Sequence, residues 1–130
     1  MMNSKTRILI VEDNIANLEL FTDILQINGF ECLTAMKGED AIEIARIENP
    51  DMILLDIQMP GMDGMTVGRI LKSDENTRHL KIVALTAHAM RGDKETFIKE
   101  GFDGYIPKPI KVKEFLEAVR EYLGEMVKNG

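Results

Sequence analysis

The chain has 130 residues, 45% apolar and 29% charged, which suits one folded globular core and excludes both a disordered segment and two ordinary domains. Its net charge of −6 withholds the phosphate-neutralising surface that DNA or RNA binding requires, and argues equally against an anionic membrane as partner. The apolar runs Ile8–Val11 and Met52–Leu55 are only four residues each, too short to cross a bilayer, and Met1 to Arg7 leaves no room for a secretion signal.

Taken in order, Arg7-Ile8-Leu9-Ile10-Val11 reads as a first buried strand that ends in Glu12-Asp13. Asn14 can cap a helix whose inner face carries Ile15, Leu18, Phe21 and Leu25, with Asn28-Gly29 as its stop. Glu31 to Ala35 is a weaker strand. It holds Cys32, the single cysteine, expected to be a buried small hydrophobe in a reducing cytoplasm. A second helix from about Glu39 turns Ala41, Ile44, Ala45 and Ile47 inward and ends at Asn49-Pro50.

Met52-Ile53-Leu54-Leu55 is the most apolar run and leads into Asp56, after which Pro60, Gly61 and Gly64 break the pattern. Such a run suits a strand buried on both faces of a parallel sheet. Val67, Ile70 and Leu71 mark a third helix, leaving through Ser73 to Asn76. Lys81 to Leu85 is a fourth strand closing in Thr86-Ala87. A mostly charged helix from about Arg91 to Glu100 follows, with Phe97 and Ile98 as its apolar residues and Gly101 as its stop. Gly104-Tyr105-Ile106 is a brief fifth strand before Lys108-Pro109. The last helix is the most regular, with Val112, Phe115, Leu116, Val119, Tyr122, Leu123 and Met126 at helical spacing. Strand and helix alternate throughout, which predicts a parallel sheet covered by helices on both faces.

In such a sheet the residues just past each strand share one rim. Here that rim collects Glu12, Asp13, Asp56, Thr86, Ala87 and Lys108. Crowded carboxylates must take up protons or attract positive charge. Lys108 supplies one unit, and a hard divalent cation with oxygen ligands would supply more, magnesium first and manganese as a substitute. A carboxylate under such a pocket can act as a nucleophile toward a phosphoryl group.

Glu12-Asp13, Asp56 followed by Met59-Pro60 and Gly64, Thr86-Ala87, Tyr105 and Lys108-Pro109, in this order and spacing, resemble the receiver domains of two-component response regulators. The match runs from about Arg7 to Val127, so residues 1–130 are expected to form one receiver domain. The sequences around Asp56 and Thr86 look most like the single-domain DivK type and the receivers of hybrid histidine kinases. The resemblance implies a flavodoxin-like (βα)5 domain with strand order 2-1-3-4-5. It makes Asp56 the phosphoacceptor, with Asp13, Asp56 and the backbone carbonyl of Gln58 on Mg²⁺ and Glu12 acting through a bound water. Lys108, Thr86 and the Ala87 amide would grip phosphoryl oxygens, and a cis bond is expected before Pro109.

By the same resemblance, Thr86 and Tyr105 form a switch that rearranges the face of the fourth helix, fifth strand and fifth helix around Ala89, Met90, Arg91, Tyr105 and Lys111. Gln58 and His88 would tune the lifetime of the acyl phosphate. The protein would catalyse only its own phosphorylation and dephosphorylation. Its partners would be a histidine kinase or histidine phosphotransfer protein and a downstream protein target. It is expected to be a cytoplasmic monomer, with dimerisation on phosphorylation left open, and to lack an effector domain.

Each residue alone has a plainer use. Asp56 can start a turn, Asp13 cap a helix, Glu12 and Lys108 stay solvated, and Thr86 simply favour a strand. Tyr105 can be packing, His79 a surface residue, and Met59, Met62 and Met65 either a partner surface or loop residues folded over the core. Convergence on one rim is what favours a site. A haloacid-dehalogenase-like phosphohydrolase would carry a second aspartate where Gln58 stands and place its nucleophile after the first strand. A flavodoxin-like cofactor binder would need a Ser, Thr and Gly-rich loop where Glu12-Asp13 stands.

Overall fold

The computed structural model describes residues 5–87 and 93–124. Within them β1 (Arg7–Val11), α1 (Ile15–Ile27), β2 (Glu31–Ala35), α2 (Gly38–Glu48), β3 (Met52–Asp56), α3 (Gly64–Ser73), β4 (Lys81–Thr86), α4 (Asp93–Lys99), β5 (Gly104–Pro107) and α5 (Val112–Leu123) follow one another. The five strands pair in parallel in the order β2-β1-β3-β4-β5. The predicted alternation and strand order are both present.

The two-residue period of the strands divides the core into two layers. Leu9, Val11, Ile53, Leu55, Ile82 and Ala84 face one way, against Ala41, Ile42 and Ala45 of α2, Val67 and Leu71 of α3, and Phe97 of α4. Ile8, Ile10, Met52, Leu54, Val83 and Leu85 face the other, against Leu18, Phe21, Ile24 and Leu25 of α1 and Phe115 and Val119 of α5. Phe21 and Phe115 stack across this second layer with ring centroids 5.6 Å apart. Burial on both faces is why the middle strands read as continuous apolar runs.

Local signals set the helix ends. Asn14 Oδ1 accepts the Asn17 N–H at 3.0 Å and starts α1, and Asp63 Oδ1 accepts the Thr66 N–H at 2.9 Å and starts α3. Asn49 closes α2 in the left-handed conformation, φ 51°. Met59 is buried, and Met62 and Met65 pack against the same layer, so these methionines are folded over the core.

Three apolar positions, Ile15, Ile47 and Val112, differ from the sequence reading. Ile15 is 58% exposed and Ile47 70% exposed. On α2 the buried stripe is Gly38, Ala41, Ile42 and Ala45; residue 47 lies about 200° round the helix from residue 45 and so faces water. Val112 is exposed for the same reason, its helix turning Phe115 and Val119 inward instead, and on α4 Phe97 is buried while Ile98 faces water. Cys32 is half-buried rather than enclosed. Its Sγ lies 3.9 Å from the Thr22 carbonyl, and burial, aided by the Glu31 charge, pushes the thiol up to about 11. His79 is a surface residue paired with Asn49. His88, Ala89, Met90, Arg91 and Met126, and with Arg91 the expected start of the fourth helix, lie outside the described residues.

Chemical denaturation distinguishes the two kinds of position. Phe115→Ala is expected to lower unfolding stability by about 3–5 kcal/mol, as for a buried aromatic removed from a packed layer. Ile47→Ala is expected to change it by less than about 0.5 kcal/mol.

Candidate functional site

The strand order reverses between β1 and β3, so the loops beyond these two strands diverge and open a crevice at their carboxyl ends. Glu12 and Asp13 follow β1, and Asp56 is the last residue of β3. Carboxylate oxygens of all three lie within 4.8 Å of one another. Glu12 is 1% exposed, Asp56 2%, and Asp13 is half-buried.

Lys108, just beyond β5, points its ammonium between two of them. Its Nζ is 3.2 Å from Glu12 Oε1 and 3.2 Å from Asp56 Oδ1. The Lys108 N–H donates to the Thr86 carbonyl at 2.8 Å, and the Lys108–Pro109 bond is cis. Glu12 Oε2 accepts the Asn14 N–H at 3.2 Å, while Asp56 Oδ1 also accepts the Gln58 N–H at 3.1 Å. Burial raises the Glu12 carboxyl above the usual carboxylate range and the nearby Asp56 charge adds to it; the Asn14 N–H and Lys108 act against the rise.

Thr86 ends β4 one residue past Leu85, the register partner of Asp56, and is 1% exposed. It lines a cavity of about 500 Å³ with Gln58, Met59, Met65, Thr96 and Phe97. Exposed Ala87 lines another, about 400 Å³, with Asn17, Phe21, Lys108 and Pro109. Tyr105 is half-buried on β5, its ring 6.0 Å from that of Phe97. Tyr122 Oη donates to the Tyr105 carbonyl at 3.2 Å. Glu12, Asp13, Asp56 and Lys108 are thus together, Thr86 ends the neighbouring strand with Ala87 just beyond it, and Tyr105 stands on the next strand of the same sheet with its ring beside that of Phe97.

Three contributors escaped the sequence reading. The Asn14 N–H that holds Glu12 carries no side-chain signal, since every residue but proline has one. The Gln58 N–H does the same for Asp56, beside the carbonyl and the part in the acyl-phosphate lifetime that the sequence suggests for this residue. Phe97 reads in the sequence only as an apolar residue of its helix, yet it shares a cavity wall with Thr86 and sets its ring beside that of Tyr105.

The donor set fits a hard divalent cation, because it offers carboxylate oxygens, two of them almost fully buried, and one ammonium to balance three acids. No helix among the described residues is long and apolar enough to cross a membrane.

Fold and site together define a parallel α/β domain with an acidic pocket at its switch point. The family model for the response regulator receiver domain matches residues 8–120, and the chain belongs to that family. It is a receiver domain of two-component signalling systems, proteins that act as phosphorylation-dependent switches and work with histidine kinases or phosphotransfer proteins. The polar-differentiation response regulator DivK of Brucella ovis is 43% identical over 118 residues, covering 91% of this chain and 96% of DivK. The receiver domain of sensor histidine kinase PA1611 from Pseudomonas aeruginosa PAO1, solved with a magnesium ion in its active-site cleft, is 32% identical with a TM-score of 0.84, covering 94% of this chain and all of that one. A CheY-like response regulator receiver domain protein from Methanospirillum hungatei JF-1 is 28% identical with a TM-score of 0.84, over 93% and 95% of the two chains.

Two substitutions probe the construction of the site. A Cβ at Gly64 would stand 2.5 Å from the Asp56 carbonyl oxygen and 2.7 Å from Ile57 Cα, both backbone atoms that cannot turn aside. Gly64→Ala is therefore expected to cost about 1–3 kcal/mol of stability in denaturant titration. Lys108→Met leaves the carboxylates without their cation, so the folded state gains affinity for protons and its stability falls as pH rises. Thermal melts without magnesium should show a gap to wild type that is wide near pH 8 and narrows toward pH 5.

Proposed function

We propose that Asp56 is the phosphoacceptor of this receiver and that residues 1–130 act as one receiver unit. The observation that carries the reading is the Lys108 ammonium shared between buried Glu12 and Asp56, with Asp13 in the same cluster. An Asp56 carboxylate oxygen attacks the phosphorus of a phosphohistidine on a histidine kinase or phosphotransfer protein. The oxygen–phosphorus bond forms as the phosphorus–nitrogen bond breaks, and the electron pair returns to the imidazole of the donor.

Lys108 and the Thr86 hydroxyl hold phosphoryl oxygens, helped by the Ala87 amide, whose small side chain leaves the approach open. Asp13, Asp56 and the Gln58 carbonyl would hold Mg²⁺, with Mn²⁺ as a substitute and Glu12 acting through a water. When bound, the ion offsets negative charge on the transferring group. The domain's only catalysis is of its own phosphorylation and dephosphorylation. A cytoplasmic location accompanies this reading, where a lone thiol such as Cys32 stays reduced.

The acyl phosphate brings up to about two negative charges into the pocket. Thr86 is drawn toward it, and Tyr105 turns into the space that Thr86 leaves. The outer surface of α4, β5 and α5 changes as a result and is read by a downstream protein. Of the residues expected on that surface, Tyr105 and Lys111 are described and the others are not.

Incubation with Mg²⁺ and acetyl phosphate should yield an acid-stable, base-labile adduct in the wild type and none in Asp56→Asn. An adduct of equal yield in the variant, or rapid turnover of an unrelated phosphate ester, overturns the assignment. Calorimetric titration should show Glu12→Gln weakening Mg²⁺ binding on the order of 10–100-fold, the usual effect of removing an outer-shell partner.

A further inference from the structure

Two cations one turn apart on α3, Arg69 and Lys72, both close on the segment where α4 ends and β5 begins. Arg69 forks onto Glu100, with Nε 2.8 Å from Oε1 and Nη2 3.2 Å from Oε2. Lys72 Nζ donates to the carbonyls of Arg78 at 3.2 Å and Leu80 at 2.9 Å, and reaches Asp103 Oδ2 at 3.3 Å. The same Asp103 oxygen accepts the Ile82 N–H at 2.8 Å, and the Asp103 N–H donates to the Ile82 carbonyl at 2.8 Å. Asp103 is therefore tied to β4 through its backbone and carboxylate and to α3 through Lys72.

Packing reinforces these ties. Gly101 ends α4 at φ 95°, donating to the Ile98 carbonyl, while the Phe102 N–H donates to the Phe97 carbonyl. The stem of Lys72 runs beneath Gly101, where a Cβ would come within 3.3 Å of Lys72 Cγ. Phe102 is 4% exposed and lies against the bare backbone of Gly68 on α3, close enough that a Cβ there would stand 2.5 Å from its ring. An exposed ion pair contributes little alone. Here two pairs, one forked, and a buried ring converge on four residues, Glu100 to Asp103, while the carbonyls of Arg78 and Leu80 steady the Lys72 ammonium.

The opposite side of this segment meets the switch. The Phe97 ring is 5.6 Å from Phe102 and 6.0 Å from Tyr105, and it borders the cavity lined by Thr86. The platform is itself seated on the site strand, since the Gly64 N–H that opens α3 donates to the Ile57 carbonyl at 3.1 Å.

We propose that Arg69 and Lys72 are positioning residues that pin the carboxyl end of α4 and the start of β5 to α3. Along α4 the backbone rearrangement on phosphorylation is thereby confined to the part before Phe97, with Phe97 as its pivot, while Tyr105 beyond the pin turns by its side chain. The confinement rests on Asp56 being the phosphoacceptor; the pin itself exists in the unphosphorylated protein. Neither cation touches the acidic pocket.

Hydrogen exchange of the full chain tests this, comparing wild type, Arg69→Gln with Lys72→Met, and the swapped pair Arg69→Glu with Glu100→Arg. Without ligand, the amides of Glu100 to Asp103 should exchange about tenfold faster or more in the double variant. The swapped pair should stay near wild type. Where the double variant fails to fold, Arg69→Gln alone against the swapped pair carries the same comparison.

With Mg²⁺ and beryllofluoride, whose occupancy is read by fluorine NMR, wild-type changes in amide exchange along the fourth helix should stop before Phe97, and in the double variant they should extend through Glu100 to Asp103. Wild-type exchange rates at Glu100 to Asp103 in the double variant overturn the pin. Equal ligand-induced change in residues 93–96 and at Glu100 to Asp103 in the wild type overturns the confinement. A failure of beryllofluoride to bind counts against the phosphoacceptor reading, while the ligand-free rates still decide the pin.

Discussion

The ammonium of Lys108, set between the carboxylates of Glu12 and Asp56, is the contact on which the acidic pocket depends. Two nearly inaccessible acids with a third beside them repel, and burial strengthens that repulsion. Removing a single partner from such a buried group leaves charge uncompensated, so its members stand or fall together. Lys108 and Glu12 are 96 residues apart in the chain. Only a parallel sheet, which delivers the carboxyl ends of all its strands to one edge, brings them within reach.

The same sheet explains why the pocket is both rigid and connected. Its floor is made of strands buried on both faces, so the oxygens of Asp56 are fixed relative to those of Glu12. Two backbone N–H groups, from Asn14 and Gln58, orient the carboxylates without adding bulk. The residues around the pocket differ in their support. Glu12 and Asp56 are held from several sides, whereas Tyr105 is half-buried and borders aromatic packing that another arrangement could also fill. A change of charge in the pocket therefore has a stiff side and a compliant side, and the compliant side faces outward.

α3 contributes to this division in two ways. Gly64 lets its first turn sit directly on the end of β3, and Gly68 lets Phe102 approach its backbone. The helix thus touches the pocket strand at one end and the α4–β5 junction at the other. Its cationic residues, which look like ordinary solvated charges, fall on that junction because of the tertiary arrangement.

Much of this was legible from residue order. The five strand runs, their turn residues and caps are local, so periodicity with those signals placed the five strands and most helix ends among the described residues. The rim residues Glu12, Asp13, Asp56, Thr86, Ala87 and Lys108 could be named together because parallel topology implies a shared edge, although their roles in phosphoryl transfer rest on the receiver resemblance. The helix faces at Ile15, Ile47 and Val112 are not what spacing implies, since an apolar residue near a helix end fits the spacing whether or not anything packs on it.

What the sequence determined by itself was the alternation of elements and the set of charges that must meet. Which oxygen Lys108 approaches, which backbone N–H groups steady the carboxylates, and how Lys72 comes to serve Asp103 were decided only in three dimensions. Those contacts join groups distant in the chain through distances that no local pattern encodes.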